Sequence, residues 1–285
     1  MKLFAILICF ALQRYFGLSN NKGLLWINPY VQNGSGFLSK LGLNSPILMV
    51  ILLVIPIAIV IAGVDYLLQD IWFNFLAFLF NIIVLFFCLN SQPLRRVLAD
   101  YLNACERGDA QATFNYGTQF LKDDSVSDLV LLIRAVTRKI FFCADFYIFS
   151  VLFWYILTGV VGASIYAFIT YLAANVFLQQ PSLAKAANQL QEILDWLPQR
   201  LTAASYALMG HFGSAIQYLR KHLFDGLQES RGLAAEVGIT ALEIDPTQLT
   251  LADIQENKKA LVLVDRTLVL WIVVIAVFTL VAWVS

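Results

Sequence analysis

Charge is what this sequence has least of. Asp, Glu, Lys and Arg make up 13% of its 285 residues, about half of the ~25% usual in a soluble domain. Acidic and basic residues balance at 19 each, which argues against a nucleic-acid partner, since that requires a basic surface. The four cysteines (Cys9, Cys88, Cys105, Cys143) lie far apart with no Cys-x-x-Cys. They read as reduced thiols, neither a disulfide framework nor a zinc site. The histidines are His211 and His222, too few for a metal centre that needs three or four converging ligands. No G-x-x-x-x-G-K-S/T loop, H-E-x-x-H pair or G-x-S-x-G elbow occurs. Catalysis is not signalled, and no cofactor is expected.

What is abundant is apolar sequence, 60% of the chain. Residues 46–64, 71–89 and 267–284 carry no charge, and about 20 apolar residues match a hydrocarbon core of roughly 30 Å. The chain is therefore read as an integral membrane protein with the lipid bilayer as its main partner. Met1-Lys2 and the apolar run after it resemble a secretion signal. Gln13-Arg14-Tyr15-Phe16 stands where small residues would permit cleavage, so the segment is expected to stay as a short embedded or interfacial helix. Pro56 should kink its span. Asn74 and Asn81, seven apart, share a helix face, where packing on another helix is favoured over ligand binding.

Residues 90–139 are polar. Leu94, Val97, Leu98, Tyr101, Leu102 and Cys105 follow amphipathic-helix spacing. Gly108-Asp109 breaks that helix, a second covers 110–121, and Ser125-Val-Ser-Asp128 is a capping box opening a third at Leu129. The stretch 140–178 is apolar, too long for one span and barely enough for two. Gly159 and Gly162 at its middle favour two helices, about 140–157 and 163–178, in a hairpin that dips in and returns; one long tilted span is the alternative. Basic residues mark the cytoplasmic side. The 65–70 link has none, so 1–45 and 90–139 are placed inside. The hairpin then keeps the eight basic residues of 179–266 inside as well, with the last span exiting. Residues 183–219 suit helices lying in the membrane plane, with Pro198 ending or kinking one and Gly210-His211 interrupting the next. Thr250-Leu-Ala-Asp253 caps a helix that runs into the final span.

The fold expected is all-α: a polytopic membrane domain over 1–285, with cytoplasmic helical loops at 90–139 and 179–266 and a re-entrant or short hairpin. Two places stand out as candidate ligand or headgroup sites. Asp145 lies in an apolar stretch, where a carboxylate costs about 2.5–3.5 kcal/mol at the bilayer centre. It is either at the surface near Arg138 and Lys139 or buried against a cavity, paired with Arg14. Asn81 could contribute to the same cavity. Asp195-Trp196-Leu-Pro198-Gln-Arg200 combines an interfacial Trp, a bending Pro and a snorkelling Arg. Together they describe a corner at the membrane surface that could also hold an anionic headgroup.

That cluster carries a resemblance. Asp195-Trp-Leu-Pro-Gln-Arg-Leu followed by Tyr206-Ala-Leu-Met-Gly-His211 resembles the D-W-x-P-x-R-L … Y-A-L-x-G-H signature of the AmpE family. Leu152-Phe-Trp154, Gly159, Gly162, Tyr101-Leu-Asn-Ala-Cys105 and Gly108-Asp109 fit as well. The resemblance implies an inner-membrane protein of Gram-negative bacteria linked to β-lactamase induction, with a membrane or cell-wall-recycling protein as the kind of partner to seek. The AmpE family is in turn similar to the CbiB/CobD cobalamin-pathway synthases, whose W-I-P-A-R-L-T matches Trp196–Thr202. Their polar motifs are replaced here by Phe142-Cys-Ala-Asp-Phe146, Thr170-Tyr-Leu-Ala173 and Ser230-Arg-Gly-Leu-Ala234. That implies a retained scaffold without the synthase site, and hence a sensing or modulating role. A membrane enzyme acting on a nucleotide- or muropeptide-linked substrate is the alternative.

Overall fold

The structure is a computed structural model that describes residues 2–16, 27–40, 42, 45–68, 75–89, 92–121, 128–175, 180–227, 231–242 and 255–284. It is all-α. The helices are α1 Lys2–Phe16, α2 Ile27–Lys40, α3 Pro46–Leu68, α4 Phe75–Cys88, α5 Gln92–Glu106, α6 Ala110–Leu121 and α7 Leu129–Ala144. A π-helical turn, Asp145–Phe149, follows, then α8 Ser150–Asn175, α9 Pro181–Met209, α10 Phe212–His222, α11 Leu233–Ala241 and α12 Gln255–Val284. The chain divides into two compact units, one formed by Met1–Gln92 and Ser150–Asp195, the other by Pro93–Phe149 and Trp196–Ser285.

The core of the first unit joins Ile27 and Val31 of α2, Val50, Leu53 and Val54 of α3, Phe168, Ile169 and Leu172 of α8, and Leu183 and Ala187 of α9. These positions recur at helical three- and four-residue intervals, so each helix gives one face to the core. Gly34 permits the close approach of α2 to α3, since a Cβ there would fall 2.5 Å from Leu53 Cδ2. Pro56 lies inside α3 and cannot donate to the carbonyl one turn earlier. The Tyr30 hydroxyl donates to Leu53 O beside that gap, at 2.9 Å. In α1, Gln13 donates to Leu89 O at 2.6 Å, closing a carbonyl that the end of α4 leaves open.

Three stretches are long and apolar enough to cross a membrane: Pro46–Leu68, Leu131–Ala174 and Glu256–Val281. In the first and third, only 17% and 22% of the most apolar window is buried in the protein. Ile51, Ile55 and Ile59 of α3 and Val273, Val277 and Phe278 of α12 face outward. Uninterrupted apolar surface of that kind belongs in lipid.

The middle stretch is not straight. Gly159 has φ 76° and ψ −158°, a conformation essentially restricted to glycine. A Cβ on Gly162 would lie 3.1 Å from Trp154 O, although eight residues of continuous helix advance about 12 Å. The helix is sharply kinked at the glycine where the sequence placed a turn.

In the second unit α7 is central, packed against α6, α11 and α12. Its Leu132, Val136, Ile140 and Phe141 are buried. Two glycines let neighbours close on it: a Cβ on Gly117 would sit 2.7 Å from Leu132, and one on Gly238 2.8 Å from Phe141. Asn257 of α12 donates to Tyr101 OH at 2.9 Å and accepts from Thr137 Oγ1 at 2.6 Å. That tie registers α12 against α5 and α7. Gly108, at φ 70°, turns α5 into α6, and Asp109 Oδ1 caps α6 by accepting Ala112 N–H at 2.9 Å.

The helix expected at Leu129 starts there and the final helix is continuous from Gln255. The residues proposed to cap them, Ser125 and Thr250, lie outside the described residues, as does Asn74. At Pro198 the helix does not end: α9 runs through it to Met209, and the break falls at Gly210-His211. Continuation costs α9 one backbone donor. The four cysteines are free and buried. Burial pushes the Cys105 thiol above its ordinary range.

Candidate functional site

Asp145 is the first residue of the π-helical turn, a local widening of the helix frequently found at functional sites. It is 2% exposed and therefore buried within the protein. Arg138 pairs instead with Glu236 at 2.8 Å, and Lys139 sits 5.9 Å from the centre of the Phe142 ring. Thr202 and Tyr206 of α9 are the polar neighbours of Asp145. Being four residues apart, they project from one face of that helix. Asp145 Oδ1, Thr202 Oγ1 and Tyr206 Oη are all buried and make no hydrogen bond of good geometry among the described residues, although Thr202 lies within loose hydrogen-bonding reach of the carboxylate. Burial, reinforced by the nearby Asp145, pushes the Tyr206 phenol well above its ordinary value.

The walls around this group are aromatic. Phe149 meets Tyr206 edge-on at 5.8 Å and Trp271 at 5.4 Å, and Phe141 meets Tyr206 at 5.0 Å. A buried polar atom without a partner costs about 1–3 kcal/mol. Three such groups meeting together are costly to bury unless they bond one another. Among the described residues no group of His, Cys, Asp or Glu suited to a metal occurs.

The corner at 196–200 is built differently. Arg200 stacks over the Trp196 ring at 4.1 Å. Its Nη1 donates to Trp196 O at 2.7 Å, its Nε to Leu223 O at 2.7 Å and its Nη2 to Asp225 O at 3.0 Å. Leu223 is the C-cap of α10. The guanidinium therefore occupies the carbonyls that the end of α10 leaves open, where a cation is favoured by the helix dipole. Burial lowers its pKa and the nearby Asp225 opposes that shift. Arg200 is 7% exposed, while Trp196 keeps 38% of its surface open.

Asn81 is in the first unit, donating to Asp65 Oδ1 at 2.7 Å and Ala77 O at 2.8 Å. The side chain of Arg14 lies outside what the structure describes. Sequence reading alone missed Thr202 and Tyr206 as companions of Asp145. Their four-residue spacing within the stretch Thr202–Tyr206 was the available signal.

A family described as "Regulatory signalling modulator protein AmpE" matches residues 1–284. The chain belongs to the AmpE family. With three stretches suited to crossing a bilayer, this AmpE-family chain is a multi-pass membrane protein. It is also similar to the "Cobalamin biosynthesis protein CobD" of Stutzerimonas stutzeri, at 28% identity over 122 residues. That match covers 41% of this chain and 40% of the relative. No solved structure matches it.

Proposed function

We propose that this AmpE-family chain is an inner-membrane modulator of the response to β-lactams or cell-wall stress, and that the buried Asp145–Thr202–Tyr206 group is its responsive element. The single supporting observation is that three buried polar groups meet beside a π-helical turn with no hydrogen bond of good geometry among them. π-Helical turns frequently occur at functional sites, and in this reading a change at Asp145 biases the chain between two arrangements. Its two polar stretches and N-terminal side face the cytoplasm in this reading, on the basic-residue rule. Reporter fusions at 110, 230 and 285 are expected to read inside, inside and outside.

The test is an inducible β-lactamase reporter in cells carrying Asp145→Asn or Tyr206→Phe at unchanged membrane abundance. An induction ratio altered several-fold supports the reading, and an unchanged ratio removes it. The match to the cobalamin biosynthesis protein favours a second reading, a membrane enzyme with a synthase-like reaction. Restored growth of a strain lacking that synthase would select it.

A further inference from the structure

A separate cavity of ≈ 540 Å³ opens about one turn beyond Tyr206, where α9 ends. One wall is the α9–α10 junction at Gly210-His211 and the end of α11; the other is α12, which presents Lys258, Lys259, Val262, Leu263 and Arg266. The first wall is fixed. His211 N–H donates to Ala241 O at 2.8 Å, and a Cβ on Gly210 would stand 2.7 Å from both Ala241 Cβ and its carbonyl. Glycine is thus what lets the two helix ends meet.

Among the described residues no carboxylate lines the cavity. Lys258 is held by Glu106. Lys259 and Arg266 are exposed and have no ion-pair partner among the described residues. Seven residues apart, they project from one face of α12, about 10 Å apart along its axis. Between them Val262 and Leu263 supply apolar wall. Beyond Arg266 the helix carries no charge through Val284, so the cavity marks the level at which α12 passes from water into hydrocarbon.

We propose that this cavity binds a phosphate-bearing ligand, its anion held between Lys259 and Arg266 and its apolar part against Val262 and Leu263. Arg supplies a fork for a phosphate oxygen pair and Lys a point charge. An anionic phospholipid headgroup and a soluble phosphorylated compound share that chemistry, and the test separates them.

The full chain in neutral detergent is titrated with phosphatidylglycerol, phosphatidylcholine or pyrophosphate, and bound ligand is counted by native mass spectrometry. Saturable binding of phosphatidylglycerol over phosphatidylcholine assigns the lipid, and saturable pyrophosphate binding assigns the soluble class. The double variant Lys259→Ala/Arg266→Ala should weaken whichever binds by roughly 10- to 30-fold. Lys259→Arg/Arg266→Lys should stay within about threefold of the unsubstituted chain. A charge-matched control, Arg220→Ala/Lys221→Ala at the end of α10, should leave binding unchanged. Equal loss in that control would replace the cavity with diffuse electrostatics. No anion selectivity, or no loss in the double alanine variant with its melting temperature intact, overturns the proposal.

Discussion

Each unit buries an aspartate to the same extent: Asp195 in the first and Asp145 in the second are both 2% exposed. Their surroundings differ. Tyr166 donates its hydroxyl to Asp195 Oδ1 at 2.6 Å, inside a unit where Tyr171 also donates to Asn28, at 3.0 Å. Asp145 has Thr202 and Tyr206 as neighbours but no hydrogen bond of comparable geometry. A well-bonded buried carboxylate is held in place, while a loosely bonded one costs stability. Arg200 is the satisfied counterpart within the second unit, with three backbone carbonyls on its guanidinium.

The largest effect should fall on the satisfied pair and on that arginine. Arg200→Ala leaves the carbonyls of Leu223 and Asp225 without their donor and is expected to cost about 2–4 kcal/mol. It should read as a lower unfolding midpoint in detergent and reduced membrane abundance. Arg200→Lys keeps the charge but not the three-way geometry, so it should recover less than half of that loss. Full recovery would show that charge alone holds the corner.

Tyr166→Phe removes a hydrogen bond to a buried carboxylate and should cost about 1.5–3 kcal/mol in the same measurement. A cost no greater than that of Asp145→Asn would break the contrast between the two aspartates. Gly159→Ala comes next. An added Cβ meets nothing within 4 Å there, so the expected loss of about 1–2 kcal/mol is purely backbone strain at positive φ. A neutral result would mean that the reversal at 159 relaxes freely.

Asp145→Asn should change stability least among these, within about 1 kcal/mol in either direction, because it trades a poorly satisfied acid for an amide of the same shape. Its signature is the altered induction ratio, not the melting temperature. The smallest effect concerns Cys105. Burial raises its pKa, so at pH 8 little of it is thiolate, the reactive form. Alkylation of the folded chain should be far slower than after denaturation. Rapid labelling would show that α5 opens.

Much of the architecture was legible in the sequence, because hydrophobic length and period are local properties. Charge-free runs announced α3 and α12, the spacing of Leu98, Tyr101 and Cys105 announced α5, and Gly108 marked its end. Gly159 was readable as a turn, since backbone at positive φ with extended ψ selects glycine whatever surrounds it. The three polar neighbours were not readable in that way. Asp145 drew attention by its apolar flanks, but whether it lay at the surface or inside depended on how deeply α7 is packed. Proline 198 was likewise ambiguous, since one missing donor ends a lone helix and is tolerated in a packed one. The stacking of Arg200 on Trp196 follows from their four-residue spacing, whereas its grip on Leu223 and Asp225 joins residues more than twenty apart. The sequence by itself determined which segments are apolar and where glycine breaks a helix, though of its three charge-free runs the one at 71–89 forms only the short helix Phe75–Cys88 among the described residues. Only the tertiary structure decided which buried charges find partners, because a partner's position depends on the packing of helices distant in the chain.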